Sequence, residues 1–397
     1  MKYLLIRNCR IPFYNPQEQF SVLIGGSKIL QIEKNIMHPA IDTREYDAQG
    51  NILIPSLTDT ANAFGESQAS DDLSKQAISD IESGITTWIT PLTTSAIDKN
   101  SIAIEHKADH ILNYSYHISL NTITRKFDAI RAKLVVLPKG VSSIYCKLST
   151  PFSREALDNV SFLIASAIDL GTTLVFDISR GGTSNEHISG LLSLAQKIES
   201  SHKCKVYFLN VCYEEEFDIL KRMQDNCLIG AELRYSPILR HSSALKEFTP
   251  ERFAAILRDN PWCSATISKT PMREYNFVDL PDDYWRRNQL SILRGMLAKQ
   301  GFTLEELIDV TSARSSKMLG MWPSYGKVEV GADADLIVWN DQSAETVNLR
   351  NVSGAEFDVP MQGKIHGVVM NGRVVCDIDG VITNNIEGRF IYRRLLF

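Results

Sequence analysis

Charged and amide side chains recur at or near the ends of short apolar runs in this sequence. Asp177 and Arg180 follow TTLVF, Asn210 lies near the end of KVYFLNV, and Glu232 and Arg234 lie in LIGAELRY. If these runs are strands of one parallel sheet, the side chains meet at its carboxyl edge, where such sheets bind ligands. Arginine and lysine side chains at that edge favour an anionic metabolite.

Two further residues follow the same pattern, Asp59 in SLTD and Lys147 in SIYCKLS. The candidate residual polar pocket consists of Asp59, Lys147, Asp177, Arg180, Glu232 and Arg234. A second interpretation is that these charges only neutralise one another, because an unpaired buried carboxylate costs several kcal/mol. We favour this second interpretation, and the ligand-binding pocket stays open as the alternative.

The apolar runs that carry these side chains alternate with amphipathic segments of helical period. The runs are ILIPSLTD, ITTWITPL, YSYHISL, SIYCKLS, TTLVFDIS, KVYFLNV, LIGAELRY and WCSATI. Strand–helix alternation repeated about eight times predicts an α/β protein with a (β/α)8 TIM barrel over residues 55–326. Residues 1–54 and 327–397 consist of short strand-like runs separated by turns. We expect the two termini to form one small β-sandwich domain.

Composition narrows the class of protein. The chain has 397 residues, 44% of them hydrophobic and 22% charged, and its formal net charge is −5. These values are ordinary for a globular protein and indicate neither a nucleic-acid-binding nor a membrane-binding surface. The seven cysteines are scattered, without a C-x-x-C pair, which favours a reducing, cytoplasmic location.

Five segments carry a resemblance to a known family. The first and the last, MKYLLIRNCRI…FSVLIGGSKILQIE and QGKIHGVVMNGRVVCDIDG, look like its opening strands and its last hairpin. NILIPSLTDTANAFG is similar to the motif P-G-[LF]-I-D-x-H-x-H-[FL]-R, and SGITTWITPLTTSAID is similar to G-G-V-T-T-x-x-x-M-P-N-T-x-P-x-I-D. TLEELIDVTSARSSKMLGMWPSYGKVEVGADADLIVWN resembles an exit helix with its returning strand. In their order along the chain, the five segments resemble the dihydroorotase and dihydropyrimidinase branch of the amidohydrolase superfamily.

The resemblance implies a metal-dependent hydrolase of cyclic amides, yet most of the implied ligand positions hold residues that bind a metal poorly or not at all. These degenerate ligand positions are Ala61, Ala63, Lys147, Asp177 (or Phe176, because the alignment is uncertain by one residue), Asn210 and Ala265. The positions that would bind substrate hold Gly65 and Leu92. A catalytic zinc usually needs three protein ligands. We therefore expect no metal, no other cofactor and no catalytic residue in this chain.

The resemblance also implies a role. Inactive dihydroorotase homologues are structural partners of aspartate transcarbamoylase, the preceding enzyme of pyrimidine biosynthesis, so its catalytic subunit is the expected partner. We also expect a homo-oligomer, a dimer. One alternative is an active cyclic-amide hydrolase with an unusual or metal-free site. The other alternative is a ligand-binding sensor built on the barrel.

Overall fold

A computed structural model of the protein describes residues 3–37, 42–61, 70–93, 111–119, 141–149, 154–180, 185–200, 204–224, 227–235, 245–267, 284–350, 356–382 and 386–391. No helix among them is both long enough and apolar enough to cross a membrane.

Eight parallel strands form one curled sheet in the order in which they follow along the chain. Each predicted barrel run contributes one of them, which confirms the strand predictions. Among the described residues, the pairing runs from the first strand to the eighth, and no ladder joins these two edges. The strands are β6 (Leu57–Asp59), β7 (Ile85–Thr93), β8 (Asn113–Ser119), β9 (Val141–Ser149), β10 (Thr173–Arg180), β11 (Lys205–Val211), β12 (Leu228–Tyr235) and β13 (Cys263–Ile267).

Helices follow most of these strands and cover the convex side of the sheet. In the helix over Glu214–Met223, for example, Phe217, Leu220 and Met223 are buried at helical spacing, while acidic residues occupy its first turn. The helices are α1 (Ser70–Glu82), α2 (Arg154–Asp169), α3 (Asn185–Glu199), α4 (Glu214–Met223), α5 (Pro250–Asp259), α6 (Tyr284–Arg287), α7 (Gln289–Lys299), α8 (Leu304–Ile308) and α9 (Arg314–Met318), with a π-helical turn over Asp309–Ala313.

Successive side chains on each strand point to opposite faces of the curled sheet, and each face has its own hydrophobic cluster. Phe176 and Phe208 point to the helices, where their rings stack with centroids 5.6 Å apart in the larger cluster. Tyr145, Val175 and Tyr207 belong to a smaller cluster on the concave side, and the register places Tyr145 and Tyr207 on either side of Val175. Side chains two residues further along these strands therefore also face the interior.

The chain termini build two sheets with a shared core. The five-stranded sheet is antiparallel, whereas the four-stranded sheet is mixed, because its strand over Tyr3–Cys9 pairs parallel with the strand over Thr43–Asp47. β1 (Tyr3–Cys9) is central to a four-stranded sheet, and the second sheet has five strands. Leu4 and Ile6 of the first sheet pack in one cluster with Leu336 and Val338 of the second. The remaining strands are β2 (Phe20–Gly25), β3 (Lys28–Glu33), β4 (Thr43–Asp47), β5 (Ile52–Pro55), β14 (Leu336–Arg350), β15 (Glu356–Met370), β16 (Arg373–Asp377) and β17 (Gly380–Val381).

The run ILIPSLTD contributes to both parts of the molecule. Its first half, β5, pairs antiparallel with β14 in the five-stranded sheet. Its second half, β6, pairs parallel with β7 in the curled sheet. Ser56 lies between the two halves and its amide donates to Asp335 O at 3.0 Å. The chain thus passes directly from the β domain into the parallel sheet.

The segment 386–391 docks against the amino-terminal end of β8. Tyr114 N donates to Arg389 O at 3.0 Å, and Ile391 N donates to Tyr114 O at 2.8 Å. Ile391 then packs in the concave-side cluster with Tyr325. This segment covers the amino-terminal end of the curled sheet, opposite the carboxyl ends of the strands.

Candidate functional site

Four side chains form one hydrogen-bonded chain across β9 to β12. Asp177 accepts a hydrogen bond from Tyr145 Oη on one carboxylate oxygen and from Asn210 Nδ2, at 2.7 Å, on the other. Asn210 Oδ1 in turn accepts from the guanidinium of Arg234. Asp177 is 4% and Asn210 7% exposed. The negative charge of Asp177 is therefore connected to the positive charge of Arg234 through one amide.

The backbone at Asn210 is adapted to this role. Asn210 has φ of 66°, in the left-handed region that asparagine tolerates better than most residues. The register between β11 and β12 shifts between Phe208 and Val211.

The residues that follow β11 are bonded to α4. Glu216 accepts hydrogen bonds from the amides of Cys212 at 2.8 Å and Tyr213 at 3.1 Å. The start of α4 is thus tied to the end of β11.

A second group of polar side chains connects β6 to the middle of the sheet. Thr60 Oγ1 donates to Glu232 Oε2 at 2.6 Å, and Thr60 O lies 2.7 Å from His117 Nε2. The other ring nitrogen of His117 is hydrogen bonded to Ser143 Oγ. The His117 ring stacks on Tyr145, with centroids 5.4 Å apart. The two polar groups are therefore in contact inside the curled sheet.

His117 is a neutral core histidine. A backbone carbonyl only accepts, so Nε2 must carry the proton toward Thr60 O, and Nδ1 accepts from Ser143. His117 is 0% exposed, and this burial lowers its pKa to about 4. The imidazole is uncharged near neutral pH and both of its nitrogens are hydrogen bonded, so it is not available to bind a metal.

Asp59 lines one cavity with Glu232, and it is paired with an arginine that the predicted pocket does not include. Arg286 Nη2 donates to Asp59 Oδ2 at 3.1 Å, and the same guanidinium forms a bidentate pair with Asp80 of α1. Trp88 Nε1 donates to Asp80 Oδ2 at 2.7 Å. Two buried carboxylates thus share the Arg286 guanidinium, and Asp59 ties the end of β6 to α1 and α6.

The structure places the remaining predicted positions as follows. Ala61 packs against the concave-side cluster, and Lys147 is exposed on β9. Ala265 belongs to the helix-side cluster, so its neighbours Ser264 and Thr266, rather than Ala265, face the interior by alternation. Glu232 is buried and accepts a hydrogen bond from Thr60. Ala63 and Gly65 lie outside the described residues, as do the side chains of Leu92 and Arg180.

These residues do not fit a catalytic metal centre. Ala61 and Ala265 have no donor atom, while Asp177 and Asn210 are hydrogen bonded to each other. The guanidinium of Arg234 stands beside them, and its charge would repel a cation. Across the described part of the chain, no three His, Cys, Asp or Glu side chains are grouped as a metal ion would require.

Sequence reasoning missed Tyr145 and Arg286. Tyr145 lies two residues before Lys147, so strand alternation could have placed it on the same face. Arg286 gives no comparable signal, because it lies 227 positions further along the chain than Asp59.

The curled sheet of eight parallel strands beside a two-sheet β domain defines an α/β fold of the amidohydrolase type. The dihydropyrimidinase from Brevibacillus agri has this fold with a TM-score of 0.76 at 17% identity, over 100% of this chain and 99% of that one. The D-hydantoinase (dihydropyrimidinase) from a Thermus species gives 0.74 at 16% identity, over 98% and 99%. At such identities the likeness shows the fold.

Sequence similarity covers shorter segments. Residues 285–375, from α6 into β16, match the family model described as amidohydrolase family. The D-hydantoinase of Ralstonia pickettii is 26% identical over 111 residues, 25% of this chain and 24% of the relative. Dihydropyrimidinase-related protein 5 of Homo sapiens is 34% identical over 73 residues, 17% of this chain and 13% of the relative. The chain thus spans about a quarter or less of these curated relatives.

Proposed function

We propose that this chain is a hydantoinase- and dihydropyrimidinase-like cyclic amidohydrolase that has lost hydrolytic activity and serves as a structural or regulatory partner of another protein. The observation that carries the proposal is the chain Tyr145–Asp177–Asn210–Arg234. Two positions that the family resemblance assigns to metal ligands, Asp177 and Asn210, hydrogen bond to each other. A guanidinium supplies the positive charge next to them.

The chemistry of the family requires a water molecule that is strongly activated as a nucleophile. A bound metal lowers the pKa of water from about 15.7 to about 7. At about 1.36 kcal/mol per unit, this activation is on the order of 12 kcal/mol. An arginine and a neutral histidine do not replace a contribution of that size. Arg234 and His117 therefore stabilise the polar groups inside the barrel and do not activate a water molecule for hydrolysis.

The specific partner that we propose is the catalytic subunit of aspartate transcarbamoylase. The motif resemblance to dihydroorotases supports this choice, because inactive homologues of that type act as structural partners of the preceding enzyme of pyrimidine biosynthesis. The charges along the polar chain are paired with one another. Such a site suits a structural partner better than a catalyst. We also propose that this chain is present as a dimer in its assembly with the catalytic subunit.

Metal analysis and hydrolase assays test the loss of activity. We expect purified protein to carry less than stoichiometric zinc, iron or manganese, and to show no turnover of hydantoin, dihydrouracil or dihydroorotate, with or without added metal. Stoichiometric metal together with turnover would contradict the proposal and favour the active-hydrolase alternative. In that case Asp177→Ala should remove both metal and turnover, whereas Lys205→Ala, at the opposite end of the sheet, should remove neither.

Co-purification tests the partner. Tagged protein, expressed together with the aspartate transcarbamoylase catalytic subunit of the same organism, should elute with it as one assembly in size-exclusion chromatography. A catalytic subunit that elutes alone, while this chain runs separately as a homodimer, would contradict the partnership. Metal analysis would still decide the loss of activity by itself, because it does not depend on the partner.

A further inference from the structure

Two cysteines lie next to each other at the amino-terminal ends of β11 and β12. Cys204 directly precedes β11 and Cys227 directly precedes β12. The register pairs the residues that follow them, Lys205 with Leu228. The two cysteines therefore occupy neighbouring positions on adjacent parallel strands, although 22 residues separate them along the chain.

Both side chains are on the helix side of the sheet. Val206 and Ile229, which pair in the register, belong to the helix-side cluster, as does Cys204, and Cys227 packs against that cluster. Both cysteines are free thiols. Cys204 Sγ lies 3.7 Å from Lys205 O, and Cys227 Sγ lies 3.9 Å from Ile198 O at the end of α3.

The electrostatics of the thiols agree with this proximity. Burial raises the pKa of Cys204 to about 12, and the nearby Cys227 thiol contributes in the same direction. Burial also raises the pKa of Cys227, with Glu199 as a second cause. Cys204 is 4% exposed, whereas Cys227 is half-buried. An external reagent can therefore reach Cys227 much more easily than Cys204.

Adjacent strands lie about 4.8 Å apart, within the Cα separation of roughly 4.4–6.8 Å that a disulfide spans. We propose that Cys204 and Cys227 form a dithiol site that low-molecular-weight disulfides, such as glutathione disulfide, convert into an intramolecular disulfide. The site lies at the amino-terminal end of the sheet, away from the polar chain around Asp177. It does not depend on the function proposed above.

The reaction proceeds in two thiol–disulfide exchanges. The Cys227 thiolate attacks one sulfur of glutathione disulfide, which forms a Cys227–glutathione mixed disulfide and releases one glutathione thiolate. Cys204, as thiolate, then attacks Cys227 Sγ and releases the second glutathione thiolate. The protons of the two cysteine thiols end on the two glutathione molecules, and two electrons pass from the protein to the glutathione disulfide. The raised pKa values make both exchanges slow at neutral pH and faster in mild alkali.

Peptide mapping by mass spectrometry tests the site. Reduced full-length protein is incubated with excess glutathione disulfide at about pH 8.5, quenched with acid and digested without reduction. We expect a peptide cross-linked through Cys204 and Cys227, and little glutathione retained on Cys227. In Cys204→Ser, glutathione should stay on Cys227, because the resolving thiol is missing. In Cys227→Ser, buried Cys204 should remain unmodified.

Cys212 provides the matched control, because it is half-buried like Cys227 and lies at the other end of β11. Cys212→Ser should form the Cys204–Cys227 cross-link at the wild-type rate. Retention of glutathione on Cys227 in the wild type, as in Cys204→Ser, would show that the two thiols do not meet and would overturn the proposal. An unreacted Cys227 after exhaustive incubation would overturn it as well.

Discussion

Asn210 Nδ2 donates a hydrogen bond to Asp177 Oδ1 at 2.7 Å, which joins the carboxyl ends of β10 and β11 inside the sheet. The motif resemblance assigns both positions to metal ligands. Here the amide turns its other end to Arg234 and its carbonyl oxygen accepts from that guanidinium. The site therefore balances charge without an ion, and this arrangement leads to specific expectations for stability.

Arg234→Met should lower the free energy of unfolding by about 1–3 kcal/mol, because Asn210 Oδ1 loses its guanidinium donor and the Asp177–Asn210 pair loses the positive charge beside it. Urea denaturation at pH 7 measures the change. Lys147→Met is the control: Lys147 is exposed on the neighbouring strand β9, so we expect a change within about 0.5 kcal/mol. Equal losses in both variants would mean that the charge of Lys147 matters as much as that of Arg234.

His117 should make stability depend on pH in the acidic range. The pKa of His117 is lowered to about 4 from its ordinary value of 6.5, chiefly by burial. Between these two values the unfolded chain binds the proton and the folded chain does not, so stability is complete above about 6.5 and falls as the pH falls toward 4. The loss attributable to this residue is on the order of 3 kcal/mol.

Denaturation curves at pH 7 and pH 4.5 check this expectation. In His117→Gln the difference in unfolding free energy between the two pH values should be smaller than in the wild type, whatever the variant does to stability at pH 7. His366 lies on β15 and is partly exposed, so His366→Gln should keep the wild-type difference. An unchanged difference in His117→Gln would indicate that carboxylates alone cause the acid sensitivity.

The sequence was sufficient to predict the strands and the proximity of Asp177 and Asn210. Each barrel strand is a short apolar run with clear boundaries, and neighbouring runs become neighbouring strands when the crossovers are helical. Asp177 and Asn210 close two consecutive runs, so parallel pairing brings them to the same edge. These predictions depend on local pattern and simple topology, which a single sequence carries.

Two features were beyond that reasoning. The inward or outward direction of a side chain changes with a shift of one residue, and Ala265, a ligand position that the resemblance implies, belongs to the helix-side cluster. The partner of Asp59 is an arginine on the short helix α6, and no periodicity connects the two. The sequence left open whether Asp59 lines a ligand pocket or is neutralised by a cation, and the ion cluster in which it lies is brought together only by the tertiary structure.

Arg286→Met should destabilise the protein strongly. Asp59 and Asp80 have side chains that are 1% and 0% exposed, and Arg286 pairs with both. Removing the shared cation leaves two buried carboxylates short of a partner, which typically costs about 3–5 kcal/mol. The next residue offers a matched control, since Arg287 pairs with Glu82 nearer the surface, where it is 48% exposed.

We expect Arg287→Met to change the free energy of unfolding by less than about 1 kcal/mol, as surface ion pairs usually do. Guanidinium chloride is unsuitable for the comparison because it screens charges, so urea at low ionic strength should be used. If the two variants were equally stable, the cluster around Arg286 would not contribute to folding as the geometry indicates.

Gly388→Ala should detach the segment 386–391 from the amino-terminal end of the curled sheet. A Cβ at residue 388 would lie 1.8 Å from Leu112 O, a backbone atom that cannot move without disturbing β8. We expect a loss of about 1–3 kcal/mol or more, with the neighbouring exposed residue as control, Glu387→Ala, close to the wild type. Hydrogen exchange locates the effect: the amides of Tyr114 and Ile391, which bond across the contact, should lose protection in Gly388→Ala. Protection retained at both amides would show that the segment stays docked and that the strain is relieved elsewhere.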